Sequence, residues 1–185
     1  MLLTTNQLVI TMDEAVSRID KFLAEYESSI GFSNLDYNGI SKIRLLIPGK
    51  LYLSGIEGYS AVANGTLHVD VVITVCFDTL PPGVISCQQH KYSIADCLGE
   101  TWNDGKYLLE ISEILDSNLK AGKRVLVHCM AGMSRSATAV LYWVVTRYLD
   151  RTTKEEDVMR AIKLLKNDRQ CVYPNRGFIK LLLTV

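Results

Sequence analysis

The stretch VLVHCMAGMSRSATAV, residues Val125 to Val140, decides the fold. Its first three residues are apolar and branched, which predicts a short strand buried on both faces. Its last residues continue into an apolar run typical of a central helix. The loop between them is small and neutral, with Gly132 inside it and Arg135 at the helix start. Because loop amides and a helix N-terminus point at one spot there, this arrangement predicts an anion site at a strand end.

Two reactive side chains flank this loop. Five residues separate Cys129 from Arg135, and that spacing lets the thiol and the guanidinium face the same concavity. The planar guanidinium can hold two phosphate oxygens. A cysteine beside a cation at a helix start ionises readily, so we expect Cys129 to be a thiolate nucleophile. The alternative is a structural cysteine beside a hydrogen-bonded His128, but the full strand-loop-helix pattern favours the anion site.

Strand and helix patterns alternate along the rest of the chain. The run VDVVITVCF, residues 69–77, predicts a second buried strand, and IRLLIPGKLYLSG, residues 43–55, predicts short strands around a turn. Capping boxes begin helices at Thr11 and Thr153, and Asn175 caps a last helix. The pattern predicts an α/β fold, with a mainly parallel sheet flanked by helices. We expect one domain over 1–185, with a helix and loop extension in 1–45 and a core in 46–185.

Composition narrows the choice of partners and compartment. The chain has 185 residues and a formal net charge of +0, so neither nucleic acid nor an anionic membrane is expected as the main partner. No apolar run is long enough to span a membrane, and the first residues do not resemble a secretory signal. Five irregularly spaced cysteines are a poor disulfide framework and favour a reducing setting, cytoplasmic or nuclear.

The central motif also resembles that of a known family. VHCMAGMSRS is similar to the signature His-Cys-x-x-Gly-x-x-Arg-Ser of cysteine-dependent protein tyrosine phosphatases, in the form typical of the small, atypical dual-specificity branch. The segments IPGKLYLSG, YSIAD and YPNRGFIKLL also resemble parts of that branch, and the likeness spans about 47–183. It implies the protein tyrosine phosphatase fold and a phosphatase that acts on phosphotyrosine and on phosphoserine or phosphothreonine.

The resemblance assigns roles to matching positions. Cys129 would attack phosphorus to give a cysteinyl-phosphate, and Ser136 would help the sulfur leave. Asp96, 33 residues before Cys129, would be the general acid and then the base. Asp104 is the rival acid, although it lies where a helix cap is expected. His128 would brace the cysteine backbone. The phosphate-binding positions would be Met130, Ala131, Gly132, Met133, Ser134 and Arg135.

The loop composition bears on the substrate. Its variable positions carry no charge, which favours a phosphoprotein over a polyphosphoinositide, and we expect neither a cofactor nor a metal. The short chain favours a shallow site that accepts both kinds of phosphorylated residue. The segment SKIRLL, residues 41–46, faintly resembles a docking motif for MAP kinases.

Other interpretations remain open at this point. The same fold could serve as a catalytically weak phosphate-binding module, a pseudophosphatase, or could transfer sulfur through Cys129. Cys87, His90, His128 and Cys129 contain metal-ligand residue types, although neighbours on a strand point to opposite faces. An oxidised Cys129 could also form a disulfide with Cys87 or Cys97.

Overall fold

The computed structural model describes residues 10–30, 39–43, 50–78, 80, 85–149 and 153–185. These residues form strands and helices that alternate along most of the chain, which confirms the predicted α/β class. The strands are β1 (Ile40–Ile43), β2 (Leu51–Ser54), β3 (Val71–Val75), β4 (Gln88–Tyr92) and β5 (Val125–His128). The helices are α1 (Met12–Ile30), α2 (Ile56–Ala63), α3 (Lys106–Lys120), α4 (Arg135–Arg147), α5 (Lys154–Asp168) and α6 (Arg176–Thr184).

The five strands form one sheet in the order β1-β2-β5-β3-β4. Strand β1 runs antiparallel to β2, and the other pairings are parallel, as predicted. Strand β5 lies in the middle, and its last residue, His128, is opposite Ser54 on one side and Thr74 on the other. Because parallel strands end at the same edge, the residues that follow β2, β3, β4 and β5 meet around Cys129.

The sheet is covered on both faces. All residues of β3 and β5 are buried, as their continuous apolar runs predicted. Alternate residues Val71, Ile73 and Val75 join the large core that includes side chains of α1, α3, α4, α5 and α6. Val72 and Leu126 face the smaller cluster with Tyr59 of α2. The apolar helix predicted after the loop is central, because residues 135–144 of α4 are all buried.

The predicted helix caps are present. Thr11 and Glu14 form a reciprocal capping box, in which the Thr11 amide donates to Glu14 at 2.8 Å and the Glu14 amide donates to Thr11 Oγ1 at 3.3 Å. Thr153 Oγ1 accepts from its helix at 3.2 Å, and Asn175 Oδ1 caps α6 at 3.0 Å. The Pro-Gly turn of the IRLLIPGKLYLSG segment, residues 48 and 49, lies outside the described residues.

The prediction that Asp104 caps a helix is wrong. Helix α3 begins at Lys106, and the residue before it is Gly105, with no side-chain cap. Trp102, Asn103 and Asp104 have φ of 55°, 54° and 54°, the left-handed region, whereas a capping aspartate needs extended backbone. The turn buries Trp102 completely, with its ring edge-on to Phe178 at 5.4 Å. Burial of this large side chain decides the local backbone instead of the cap.

Among the described residues, no helix is both long enough and apolar enough to cross a membrane.

Candidate active site

The loop between β5 and α4 holds Cys129 at the centre of the sheet edge. Gly132 lies at the tip of this loop with φ of +66°, a backbone conformation that side chains disfavour. A Cβ on Gly132 would also overlap the backbone of Ser54 and Gly55, so the loop packs directly on the end of β2. Position 132 therefore requires glycine for two independent reasons.

The carbonyls of residues 130–134 all accept hydrogen bonds on the outer side of the loop, away from the cradle that the loop amides form around Cys129 Sγ. Because the peptide unit is planar and trans, each N–H points away from the preceding carbonyl. The amides of residues 131–135 are therefore turned towards the opposite side, where the Gly132 amide donates to Cys129 Sγ at 3.2 Å. The carbonyl acceptors and their donors are Met130 with Ile56 N (2.9 Å), Ala131 with Arg169 Nη2 (3.0 Å), Gly132 with Arg169 Nε (2.9 Å), Met133 with Tyr173 N (2.9 Å) and Ser134 with Thr138 N (2.8 Å).

Arg169 is a site residue that the sequence interpretation missed. It is buried, and its guanidinium donates to two loop carbonyls and, through Nη1, to the Gly39 carbonyl at 2.9 Å. Its Nη2 lies 3.7 Å from Glu57 Oε1, which also accepts from the Gly55 amide at 3.0 Å. An arginine in the polar segment KNDRQ normally extends into solvent, so the sequence carried no signal for this role.

The sulfur of Cys129 is held by two groups. Besides the Gly132 amide, the hydroxyl of Ser136 lies 3.2 Å from Sγ, and both residues are buried. Both groups lie within hydrogen-bond distance of the sulfur. The structure thus brings together Cys129, Ser136 and the inward-turned amides.

Arg135 projects from the first turn of α4 into the same site. Its Nη1 donates to Asp78 Oδ2 at 2.9 Å and to the Ile94 carbonyl at 3.3 Å. Its Nε lies 3.5 Å from Asp96 Oδ2 and makes no hydrogen bond within the described part of the chain, although it is buried. A buried donor without a hydrogen bond beside inward-facing amides is suited to an oxyanion.

Asp96 also lies beside this loop. Its Oδ1 accepts from Ser134 Oγ at 2.8 Å and from Asn175 Nδ2 at 2.7 Å. Asp104, the rival carboxylate, is exposed and lies instead in the left-handed turn before α3. Asn175 was predicted only as a helix cap. In the structure its Oδ1 caps α6, and its Nδ2 also donates to Asp96.

His128 lies behind the cysteine and faces away from the loop. Its Nδ1 is 3.3 Å from the Cys129 carbonyl and its Nε2 is 2.8 Å from Thr74 Oγ1. Since a carbonyl only accepts, Nδ1 carries the proton, and Nε2 accepts from the threonine. Burial lowers the pKa of His128 to about 4, so the ring is neutral at pH 7.

The other cysteines and histidines are not grouped as a metal site. Among the described residues, no group of three or more His, Cys, Asp or Glu side chains could hold a metal ion, so nothing supports the four-ligand alternative. The cysteines form no disulfide in the described structure, where Cys97 is exposed and Cys87 is half-buried.

Asp78 is the second residue that the sequence interpretation missed. It lies three residues after the end of β3 at Val75, and its carboxylate reaches Arg135 from there. Its place beyond a buried parallel strand was a usable signal, because such strands end at one edge.

Comparison with known proteins identifies the family of this chain. The family model described as "Dual specificity phosphatase, catalytic domain" matches residues 51–185. Dual specificity protein phosphatase 1B of Arabidopsis thaliana is 36% identical over 113 residues, 60% of this chain and 62% of that protein. Protein phosphatase Slingshot of Drosophila melanogaster is 26% identical over 95% of this chain, which is 17% of its own length. The chain thus spans less than two thirds of these curated relatives.

A solved structure extends the likeness in fold. OH1 from the Orf virus, described as a tyrosine phosphatase with triple substrate specificity, superposes with a TM-score of 0.69. The match covers 90% of this chain and 95% of that one at 17% identity. At that identity the comparison shows the shared fold, which is that of protein tyrosine phosphatases.

Proposed function

The chain belongs to the dual specificity phosphatase catalytic domain family, and from that premise we propose that it hydrolyses phosphorylated protein side chains through a cysteinyl-phosphate on Cys129. One observation carries the proposal. The Gly132 amide and the Ser136 hydroxyl contact the Cys129 sulfur, and Asp96 links the same loop to Arg135, through Ser134 Oγ at 2.8 Å and Arg135 Nε at 3.5 Å.

In the first step, the Cys129 thiolate attacks phosphorus in line with the leaving oxygen. Arg135 Nε and the amides of residues 131–135 bind the three equatorial oxygens, on which negative charge spreads in the transition state. Asp96 donates a proton to the leaving phenolic or alkyl oxygen. Ser134 and Asn175 orient this carboxylate, because both donate hydrogen bonds to its Oδ1, at 2.8 and 2.7 Å.

In the second step, water attacks the cysteinyl-phosphate and the sulfur leaves. Asp96, now ionised, accepts a proton from the water, as microscopic reversibility requires. The Ser136 hydroxyl, 3.2 Å from Sγ, donates a hydrogen bond to the sulfur as its negative charge returns. Both steps take place over a loop whose Ala131 and Gly132 carbonyls are held by Arg169.

The neutral side chains of the loop support phosphoproteins as the substrate class. None of Met130, Ala131, Met133 and Ser134 adds a cation for the further phosphates of a polyphosphoinositide. We therefore propose action on phosphotyrosine and on phosphoserine or phosphothreonine in a single catalytic domain of the cytoplasm or nucleus. The likeness of SKIRLL, residues 41–46, to a docking motif supports MAP kinases as a proposed partner. Residues 44–46 of this segment lie outside the described residues.

The test uses p-nitrophenyl phosphate and a phosphopeptide panel with wild type, Cys129→Ser and Asp96→Asn. Cys129→Ser should abolish turnover of every substrate. Asp96→Asn should lower kcat roughly 100-fold or more, with the larger loss on phosphoserine, whose alkoxide is the poorer leaving group. Acid quench of wild type followed by peptide mapping should find phosphate on Cys129.

Two matched variants make the result specific. Cys97→Ser removes an exposed thiol beside Asp96 and should keep wild-type turnover. If Asp104→Asn abolishes turnover of phosphoserine peptides while Asp96→Asn does not, the general acid has been misassigned. Wild-type turnover no higher than that of Cys129→Ser would instead identify a phosphate-binding module, and a persulfide on Cys129 would identify sulfur transfer.

A further inference from the structure

A second carboxylate, Asp78, lies on the guanidinium that binds the phosphate. Its Oδ2 accepts from Arg135 Nη1 at 2.9 Å, and its side chain is 33% exposed beside an arginine that is 9% exposed. A carboxylate there opposes anion binding, since it neutralises part of the charge that attracts a phosphate. The placement therefore demands a compensating role.

Resting on the proposed function, we propose that Asp78 positions Arg135 and selects phosphoesters that carry no second anionic group beside the phosphate. The positioning role follows from the shape of the guanidinium. Asp78 and the Ile94 carbonyl both hold Nη1, at 2.9 and 3.3 Å, and two acceptors on one nitrogen fix the orientation of the plane. The Nε side, buried and without a hydrogen bond in the described structure, then faces the cradle before substrate arrives.

The selective role follows from charge and exposure. Asp78 is exposed enough to meet the groups that flank a phosphoester, and the loop side chains beside it are neutral. A second phosphate or a carboxylate that enters next to the phosphoester meets this negative charge with no lysine or arginine from the loop to offset it. Like charges about 4–6 Å apart near a protein surface repel strongly enough to cost roughly 10-fold in affinity.

The experiment compares Asp78→Asn, Asp78→Ala and the control Asp70→Asn. Asp70 lies before β3, at the far end of the strand, where it pairs with Arg124 at 3.5 Å, so Asp70→Asn changes the net charge equally but away from the site. Substrates are a singly phosphorylated tyrosine peptide with neutral flanks and the same peptide with a second phosphotyrosine beside the first. The measurements are kcat, KM, the calorimetric affinity for inorganic phosphate, and Tm.

Asp78→Asn keeps an oxygen acceptor for Nη1 and removes the charge. It should bind inorganic phosphate about 10-fold tighter and reduce the preference for the singly phosphorylated peptide about 10-fold. Asp78→Ala removes the acceptor too, so its kcat should fall at least about 10-fold while Asp78→Asn retains most of the wild-type kcat. Asp70→Asn should match wild type in kcat, in KM and in the affinity for phosphate.

Equal phosphate affinity and equal peptide preference in Asp78→Asn and Asp70→Asn would overturn the selective role. A wild-type kcat in Asp78→Ala would overturn the positioning role. If Asp78→Ala does not fold, the positioning role is overturned instead by a kcat of Asp78→Asn that is as low as the kcat of Arg135→Lys. Calorimetry with phosphate needs no turnover, so absence of turnover in wild type would refute the proposed function while the phosphate affinities still judge Asp78.

Discussion

The buried neutral His128 should make the stability of the fold depend on pH. Burial lowers its pKa from 6.5 to about 4, and the hydrogen bond to the Cys129 carbonyl opposes this only in part. Between pH 6.5 and about pH 4, His128 therefore binds a proton in the unfolded chain but not in the folded chain. The stability that the neutral His128 ring contributes to the fold is fully present above pH 6.5 and is lost as the pH falls towards 4. At about 1.4 kcal/mol per pH unit, the free energy of unfolding should fall by about 3 kcal/mol, of which about 2 kcal/mol is lost by pH 5.

The assay is urea unfolding of wild type and His128→Gln at several pH values between 7 and 4.5. Gln removes the titrating ring and can still accept from the Thr74 hydroxyl. Wild type should be the more stable at pH 7, and its advantage should shrink by about 2 kcal/mol at pH 5. His68→Gln, at an exposed histidine, controls for the loss of a histidine as such. An advantage that stays constant from pH 7 to 5 would show that the folded ring accepts a proton as readily as the unfolded one, and it would refute the lowered pKa of His128.

Three further predictions concern the loop and the core. Gly132→Ala should lower Tm by roughly 5 °C or more and abolish p-nitrophenyl phosphate turnover, because a Cβ there overlaps the end of β2; wild-type turnover would contradict the packing. Arg169→Lys should lower kcat/KM about 10- to 100-fold in steady-state assays, since the donors of an ammonium lie on one nitrogen and cannot reach carbonyls that three separate guanidinium nitrogens hold; an unchanged value would mean that the loop keeps its shape unaided. Burial lowers the pKa of Lys166 from 10.5 to about 8, so this side chain costs stability below pH 8 and not above pH 10.5. In urea unfolding, Lys166→Met should gain about 2 kcal/mol more over wild type at pH 7 than at pH 10, and a gain independent of pH would refute the lowered pKa.

Local patterns were sufficient for the elements that hold the central loop. The apolar runs of β3 and β5 predicted strands buried on both faces because such a strand cannot alternate polar residues with apolar ones. The capping residues Thr11, Thr153 and Asn175 predicted helix starts correctly, since a cap depends only on the next few residues. Asp104 failed as a cap because burial of Trp102, a tertiary effect, dictates the backbone there.

The geometry of the site depends on partners that are distant in sequence. Asp78 reaches Arg135 across 57 residues, and Arg169 reaches the Gly132 carbonyl across 37. Residue type alone predicted neither contact, because aspartate and arginine side chains are normally solvated. The position of Asp78 just beyond a buried strand was the one usable signal.

By itself, the sequence determined the strand, the cysteine loop, the helix that follows and the α/β class, because hydrophobic periodicity and glycine conformation act within a few residues. Only the tertiary structure decided which carboxylates and which second arginine surround the loop. The strand order β1-β2-β5-β3-β4 is not the order along the chain, and it brings the ends of β3 and β4 to the same edge as β5. That meeting of strand ends places Asp78 and Asp96 beside the loop, whereas Arg169 reaches the loop from the end of α5, and no pattern of neighbouring residues encodes either arrangement.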